Sequence, residues 1–489
     1  MKKSLFLFLV LIITNSIAQK KPVAEITKLV TRPQVEAPLT FLSADEMRGR
    51  DTGSRELDIA ANYIASVFRQ LGLKELAGAP GYSQPVSLVK AVPVASATLR
   101  FGSESLTFKD QFIVVDGARS SWSGECVYVG YGTPEEMPAD IKGKMVLSLA
   151  GSKEAGNAQA IFSASSEKFK RVKAAGGAGL IEFFVTTPFP WPSLVSFFTG
   201  NPRTTVKKDG AEIPRIWMKE VDLAGFKEIK EKKTGTVSVT VDRPDATSIP
   251  SRNIVGVVEG TDPVLKKEYL VVSAHYDHVG VGAKKANDSI YNGARDNALG
   301  TVAMMTAAKY FAQFPAKRSI IFMALTGEEK GLLGSAWYAE HPLIPLNQTV
   351  FNMDCDGAGY NDKSVVTIIG LERTSAEAHI AKACEAFGLK ATKDPVPEQN
   401  LYERSDNYNF AVKGVPAIDF APGVKAFDAE LMKYYHQPAD EVGSLDFEYL
   451  VLFYRAFIYA NQLIANAPQA PFWKPGDKFE PTGKALYKK

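Results

Sequence analysis

Cysteine is scarce in this chain, with three among 489 residues: Cys126, Cys355 and Cys384. An odd count rules out a fully paired disulfide framework. Cys126 lies far from the other two and Cys384 falls in a helical pattern, so three buried structural thiols are expected. None has a sequence partner that would make it a catalytic nucleophile. Neither sign of charge dominates, since Lys and Arg number 57, Asp and Glu 54, and the net charge is +3. That balance argues against the basic face of a nucleic-acid binder. The lysine-rich stretch Lys227–Lys233 and the pair Lys488-Lys489 read as solvated surface. No apolar run approaches the ~18 residues that a membrane crossing needs. Histidine is also rare, at five.

The start of the chain is different. Met1-Lys2-Lys3 precedes the apolar run from Leu5 to Ile13, and Ser16-Ile17-Ala18 follows. A short basic start, a hydrophobic stretch too short to span and small residues at the end read as a secretory signal, cleaved after Ala18. No cysteine follows that site, so no lipid-anchored form is indicated. The expectation is a secreted or periplasmic protein without a membrane span after cleavage.

A chain of this length suggests about two or three domains. Residues 1–18 are the signal, and 19–90 are a helical segment in which Leu57 to Leu71 carries apolar residues at helical spacing. Residues 91–245 switch to short apolar runs punctuated by glycine, such as Val127 to Gly132 and Lys142 to Leu149. They contain no histidine and no cluster of metal ligands. From 246 to 467 apolar strands alternate with amphipathic helices, and 468–489 form a tail. That alternation predicts a three-layer α/β/α sandwich around a mostly parallel central sheet. In such sheets ligands bind beyond the carboxyl ends of the strands.

Five stretches in this second half carry chemistry: Ser273 to Asp277, Gly293 to Asn297, Thr326 to Glu329, Asn352 to Asp354, and Tyr435 to Asp440. They hold two of the five histidines, His275 and His436, and His275, Glu328, Glu329 and Asp354 follow predicted strand ends. Three carboxylates and two imidazoles at such places make a ligand set for two zinc ions, and a two-metal site implies hydrolysis. Each residue alone is weak, since lone histidines and Glu-Glu pairs are mostly surface or core features. His278, His341 and His379 are left to that ordinary reading, with a reservation for His278.

In order and approximate separation these stretches resemble the signatures of the M28 family of co-catalytic zinc exopeptidases. The resemblance extends over essentially the mature chain. Residues 38–85 look like its N-terminal helical segment, and residues 91–241 like the inserted β-rich protease-associated (PA) domain that many members carry. Residues 250–467 look like its catalytic domain, of the zinc-peptidase/phosphorylase-like fold. The resemblance implies two Zn2+ ions per chain, with His275 and Asp354 on one and Glu329 and His436 on the other. Asp296 would bridge both, which suits dications roughly 3.5–4 Å apart. It implies that Asp277 orients the His275 ring and that Glu328 is the general base. It also implies a cis Asp296–Asn297 peptide and a PA domain that limits access to short or unfolded peptides. Asp356 is a rival to Asp354, ranked second because Asn352-Met353-Asp354 matches the family's Asn-x-Asp. The chain departs from the family where Ser405-Asp406-Asn407 replaces Ser-Asp-His, beside Arg404 at the substrate pocket.

The activity expected is that of an aminopeptidase acting on peptide substrates. A carboxypeptidase or dipeptidase is the alternative, with Arg404 as a possible holder of a substrate carboxylate. A single-zinc glutaminyl cyclase and a non-catalytic binding ectodomain are less favoured, because the ligand set and Glu328 are complete.

Overall fold

The computed structural model describes residues 21–153, 158–185, 190–207, 212–285 and 287–488. The expected signal lies outside the described residues. The chain divides into two compact units, one of Met1–Ser87 with Pro250–Lys489, the other of Leu88–Ile249. Among the described residues no helix is long and apolar enough to cross a membrane.

The first unit is built on an eight-stranded sheet. Its strands are β1 (Ser83–Pro85), β2 (Arg252–Val258), β3 (Tyr269–His275), β4 (Ser319–Leu325), β5 (Thr349–Asp354), β6 (Val365–Ile369), β7 (Lys390–Lys393) and β8 (Ala417–Pro422), in the order β1-β2-β4-β3-β5-β8-β6-β7. Strands β4, β3, β5 and β8 run parallel to one another, and β7 is parallel to β6. The pairs β1·β2, β2·β4 and β8·β6 are antiparallel, so the sheet is mixed around a parallel centre.

Alternation along the strands assigns each face its own core. Leu270, Val272, Ala274, Ile320, Phe322, Phe351 and Met353 join one cluster with α1 (Arg32–Leu42), α2 (Arg55–Leu71), α3 (Leu299–Gln313), α5 (Glu377–Glu385) and α6 (Phe447–Asn466). Val271, Ile321, Met323, Leu325 and Ala417 point the other way, against Tyr338 of α4 (Leu333–Glu340), Phe410, Trp473 and Phe479. Helices on both faces give the three-layer sandwich. The central strands are buried along their lengths, which explains why they read as continuous apolar runs.

Helix α2 is closed at both ends by residues visible in the sequence. Ser54 Oγ accepts from Leu57 N, and Gly72 ends the helix at φ 71. The C-terminal stretch expected to be a tail is instead part of the fold. Trp473 and Phe479 are buried, Trp473 Nε1 donates to Gly414 O, and Glu480–Tyr487 is helical. Two buried aromatics are worth more against the sheet than in water, which pins a segment that has no strand of its own.

The second unit holds an eight-stranded sheet in the order Glu104–Leu106, Ser96–Phe101, Thr234–Asp242, Ser120–Tyr128, Met145–Leu149, Gly179–Phe184, Arg215–Lys219, Phe112–Asp116. A three-stranded sheet of Thr247–Ile249, Leu88–Ala91 and Arg203–Val206 accompanies it. The helix expected over 168–175 runs over Ala158–Ala174, and the lysine-rich stretch falls on the helix Ala224–Lys232 with surface pairs such as Lys232–Glu228. All three cysteines are buried and none forms a disulfide. Burial pushes the Cys126 thiol up to about 12.

One ion pair in this unit is fully enclosed. Lys168 Nζ lies 2.6 Å from Glu182 Oε1, and Trp217 Nε1 donates to Glu182 Oε2 at 2.9 Å. Removing the lysine leaves a buried carboxylate without its cation. Lys168→Met is expected to destabilise the unit by about 3–5 kcal/mol, read from urea unfolding. A loss below about 1 kcal/mol would contradict that reading.

Candidate metal centre

Three parallel strands end side by side, and their register sets the first centre. Ser273 of β3 faces Asp354 of β5, and Asp354 in turn faces Asp419 of β8. Side chains two residues apart share a face, so His275 is brought level with Asp356, two residues beyond the strand. His275 Nε2 lies 3.1 Å from Asp356 Oδ1 and 3.3 Å from Asp296 Oδ1.

The expectation that Asp354 would accompany His275 is therefore corrected in favour of Asp356. Both oxygens of Asp354 are occupied: Ser273 Oγ donates to one at 2.6 Å and Ser405 Oγ to the other at 2.8 Å. Burial, with the charge of Asp356, pushes its carboxyl up to about 6. Matching Asn-x-Asp pointed to the last strand residue, but the register selects the residue two further on.

The His275 ring is oriented through Asp277, although not by its carboxylate. Nδ1 lies 3.1 Å from the Asp277 backbone oxygen and 3.9 Å from Oδ1. A carbonyl only accepts, so Nδ1 carries the proton and Nε2 turns its lone pair toward Asp296 and Asp356. The Asp277 carboxylate instead accepts from Thr52 Oγ1 at 2.8 Å and from Glu328 N at 3.2 Å. It positions the backbone of the expected base.

The second centre gathers at the turn after β4. Gly327, at φ 70, lets the chain leave the strand sharply, and Glu328 and Glu329 follow in a short 3-10 turn. Glu329 Oε2 and Asp296 Oδ2 each lie 3.1 Å from His436 Nε2. Contacts with Asp296 and Glu329 outweigh burial and hold the His436 imidazole up at about 10. Asp296 therefore faces both centres, one oxygen to each, and its peptide bond to Asn297 is cis as the resemblance implied.

Sequence reasoning passed over His278 in this cluster. Its Nδ1 lies 2.7 Å from Glu329 Oε1 and 3.9 Å from Asp296 Oδ1. The signal was its position, three residues beyond His275 in Ser273 to His278. Asp440, at the end of the fifth stretch, accepts from the amides of Arg295 at 2.9 Å and Asp296 at 3.2 Å. Asn297 Nδ2 donates to Cys355 O at 2.8 Å, tying the loop to the end of β5. Gly300 permits this approach, since a Cβ there would lie 2.0 Å from the same oxygen.

The cavity at the site is lined by Glu328, Asp356, Asp419, Arg404, Ser405 and Tyr435 with apolar walls from Ile369, Leu401, Ala421, Val424 and Phe427. Of the four residues expected at the substrate pocket, Arg404 and Ser405 line it. Asp406 and Asn407 do not. Asp406 takes the hydroxyl of Ser335, and Asn407 Nδ2 donates to Tyr402 O at 3.2 Å. Both begin a buried helix, Asn407–Val412, and turn inward. Burial pushes the carboxyls of Glu328, Asp406 and Asp419 well above the usual carboxylate range, and neighbouring acids push the same way.

Opposite these acids sits Arg50, 1% exposed, from the N-terminal segment. It donates to the carbonyls of Tyr276 at 3.0 Å, Asn292 at 2.7 Å and Gly293 at 2.9 Å, and to Leu42 O. Burial lowers its guanidinium to about 10, while Asp440, Asp277 and Asp296 support its charge.

Two histidine–carboxylate clusters sharing one aspartate, at the carboxyl ends of parallel strands in a three-layer sandwich, make a candidate two-metal centre of the kind found in hydrolases. Residues 253–460 match the model of peptidase family M28. Aminopeptidase YwaD of Bacillus subtilis is 26% identical over 326 residues, spanning 66% of this chain and 62% of that protein. The chain thus aligns with less than two thirds of YwaD. The probable leucine aminopeptidase 2 of Aspergillus fumigatus is 23% identical over 460 residues, 87% of this chain and 81% of the relative. The solved aminopeptidase from Aneurinibacillus sp. strain AM-1 superposes with TM-score 0.50 at 19% identity, covering 93% and 98% of the two chains. At that identity the likeness is one of fold.

Arg50→Met should destabilise the first unit by roughly 3–5 kcal/mol, because several buried carbonyls lose their donor at once. Urea unfolding measures this, and a change under about 1 kcal/mol would remove Arg50 from its clamping role.

Proposed function

We propose that the chain is an exported zinc aminopeptidase that removes N-terminal residues from peptides. The observation that carries this reading is Asp296, whose two oxygens face two separate histidine–carboxylate clusters. The donors fit zinc, being imidazole and carboxylate only, and Glu329 Oε1 is buried without a hydrogen-bond partner among the described residues. His275 and Asp356 would hold one ion, Glu329 and His436 the other, and Asp296 both. Bound zinc supplies Lewis acidity toward the scissile carbonyl and toward the attacking water.

Glu328 does the proton work in this mechanism. Its amide is held by Asp277, its side chain lines the cavity, and burial raises its proton affinity. It takes a proton from the attacking water and passes it to the departing amine. Acids dominate the cavity lining, which favours a substrate's terminal ammonium over a carboxylate. Arg404 supports the carboxypeptidase or dipeptidase alternative, as it is exposed at the cavity and bonds Tyr435 Oη at 3.1 Å. The sequence of residues 1–18 supports export with cleavage after Ala18. Residues 88–249, compact and free of histidine, support assignment to the protease-associated type.

Aminoacyl chromogenic substrates are expected to be cleaved, chelation to abolish the activity and zinc to restore it. N-blocked peptides should resist and C-blocked peptides should not. Glu328→Gln is expected to lower kcat by about 10²–10⁴-fold with zinc content unchanged. Hydrolysis of N-blocked but not C-blocked dipeptides would favour the alternative, and no hydrolysis of either would remove both.

Asp354 and Asp356 are separable in the same way. Asp356→Asn is expected to lose one zinc per chain by elemental analysis, whereas Asp354→Asn retains both. The reverse pattern would return the ligand role to Asp354.

A further inference from the structure

We infer that His278 is a further ligand of the second centre, so that His278, Asp296, Glu329 and His436 surround one ion. The inference rests on the two-zinc reading and adds to it a residue outside the five-ligand set implied by the family resemblance.

The geometry distinguishes a ligand from an ordinary buried histidine. His278 is fully buried, and neither ring nitrogen has a hydrogen-bond partner among the described residues. A core histidine in that state leaves polar atoms unsatisfied at a cost of about 1–3 kcal/mol each. Glu329 Oε1, 2.7 Å from Nδ1, is unsatisfied as well. The two atoms thus approach closely without making an aligned N–H···O bond.

The neighbouring donors converge on the same place. One atom from each of His278, Asp296, Glu329 and His436 lies within 4.8 Å of the others. Zinc bonds of about 2.0–2.2 Å at tetrahedral angles set neighbouring donors roughly 3.3 Å apart. The separations of 2.7 Å between His278 Nδ1 and Glu329 Oε1 and of 3.1 Å from His436 Nε2 to Glu329 Oε2 and to Asp296 Oδ2 lie close to that value.

The ring is also fixed for the role. A Cβ on Gly293 would lie 2.6 Å from His278 Cγ and Cδ2, so the ring packs on bare backbone, and φ 63 at that position suits glycine. His278 N donates to Arg50 O at 3.2 Å, and the His436 ring meets it at 74° with centroids 5.4 Å apart. His278 is thus set by the N-terminal segment, although its partners come from the other loops.

The alternative is a positioning residue that orients Glu329 without touching the ion. Zinc K-edge X-ray absorption on the full chain decides by counting imidazoles. With two ions bound, three imidazoles are expected in the wild type, from His275, His278 and His436, and two in His278→Gln. Competition with a chromogenic chelator should show zinc held at least about 100-fold more weakly at one centre of the variant, the upper end of what loss of an orienting partner costs. Circular dichroism checks the fold, and His278→Ala serves as a second variant. Should neither fold, the wild-type count decides alone. Two imidazoles in the wild type, or unchanged zinc affinity in a folded variant, would overturn the ligand role and leave the two-zinc reading intact. A wild-type chain that binds no zinc would overturn both.

Discussion

Carboxylates crowded together out of water repel one another and lose hydration, and this fold gathers many of them at one edge of its sheet. Asp277, Asp296, Glu328, Glu329, Asp354, Asp356, Asp406, Asp419 and Asp440 all lie there, opposed by the imidazoles of His275, His278 and His436 and by Arg50. Burial pushes several of these acids toward their neutral forms. Concentrated positive charge relieves that pressure. The rest of the site can be understood as the means of supplying and aiming it.

The supports come from distant parts of the chain. Arg50 closes the carbonyl ends of two loops, and Thr52 reaches Asp277, so a segment over two hundred residues upstream sets the shape of this edge. Asp440 takes two amides of the loop bearing Asp296, and Asn297 ties that loop to β5. Asp296 is thus held from both sides while its carboxylate stays directed between the centres. Rigid supports of this kind keep the clustered side-chain atoms in place.

Much of this was legible in the sequence. The apolar strands, the helices between them and the Glu328-Glu329 turn followed from local patterning, because buried parallel strands and amphipathic helices each leave a distinct periodicity. Matching stretches of acids and histidines found His275, Asp296, Glu329 and His436. It did not find His278, since an isolated histidine after an aspartate carries no local sign of what faces it. It chose Asp354 over Asp356 because strand register is a relation between two segments. Likewise Asp406 and Asn407 looked like pocket residues, although the short helix they begin turns them into the protein. The apparent tail showed no periodicity, and its place came from two aromatic rings that need a partner surface.

The sequence by itself determined the class of chemistry, because residue types with lone pairs at strand ends can hold metal whatever the surrounding detail. It also determined the layering of the first unit, since hydrophobic periodicity is a local property. Only the tertiary structure decided which carboxylate stands beside His275, which oxygen of Asp296 faces which centre, and that His278 belongs with Glu329. Those are distances between chain segments far apart in sequence, set by sheet register and by the loops that Arg50 and Asp440 hold.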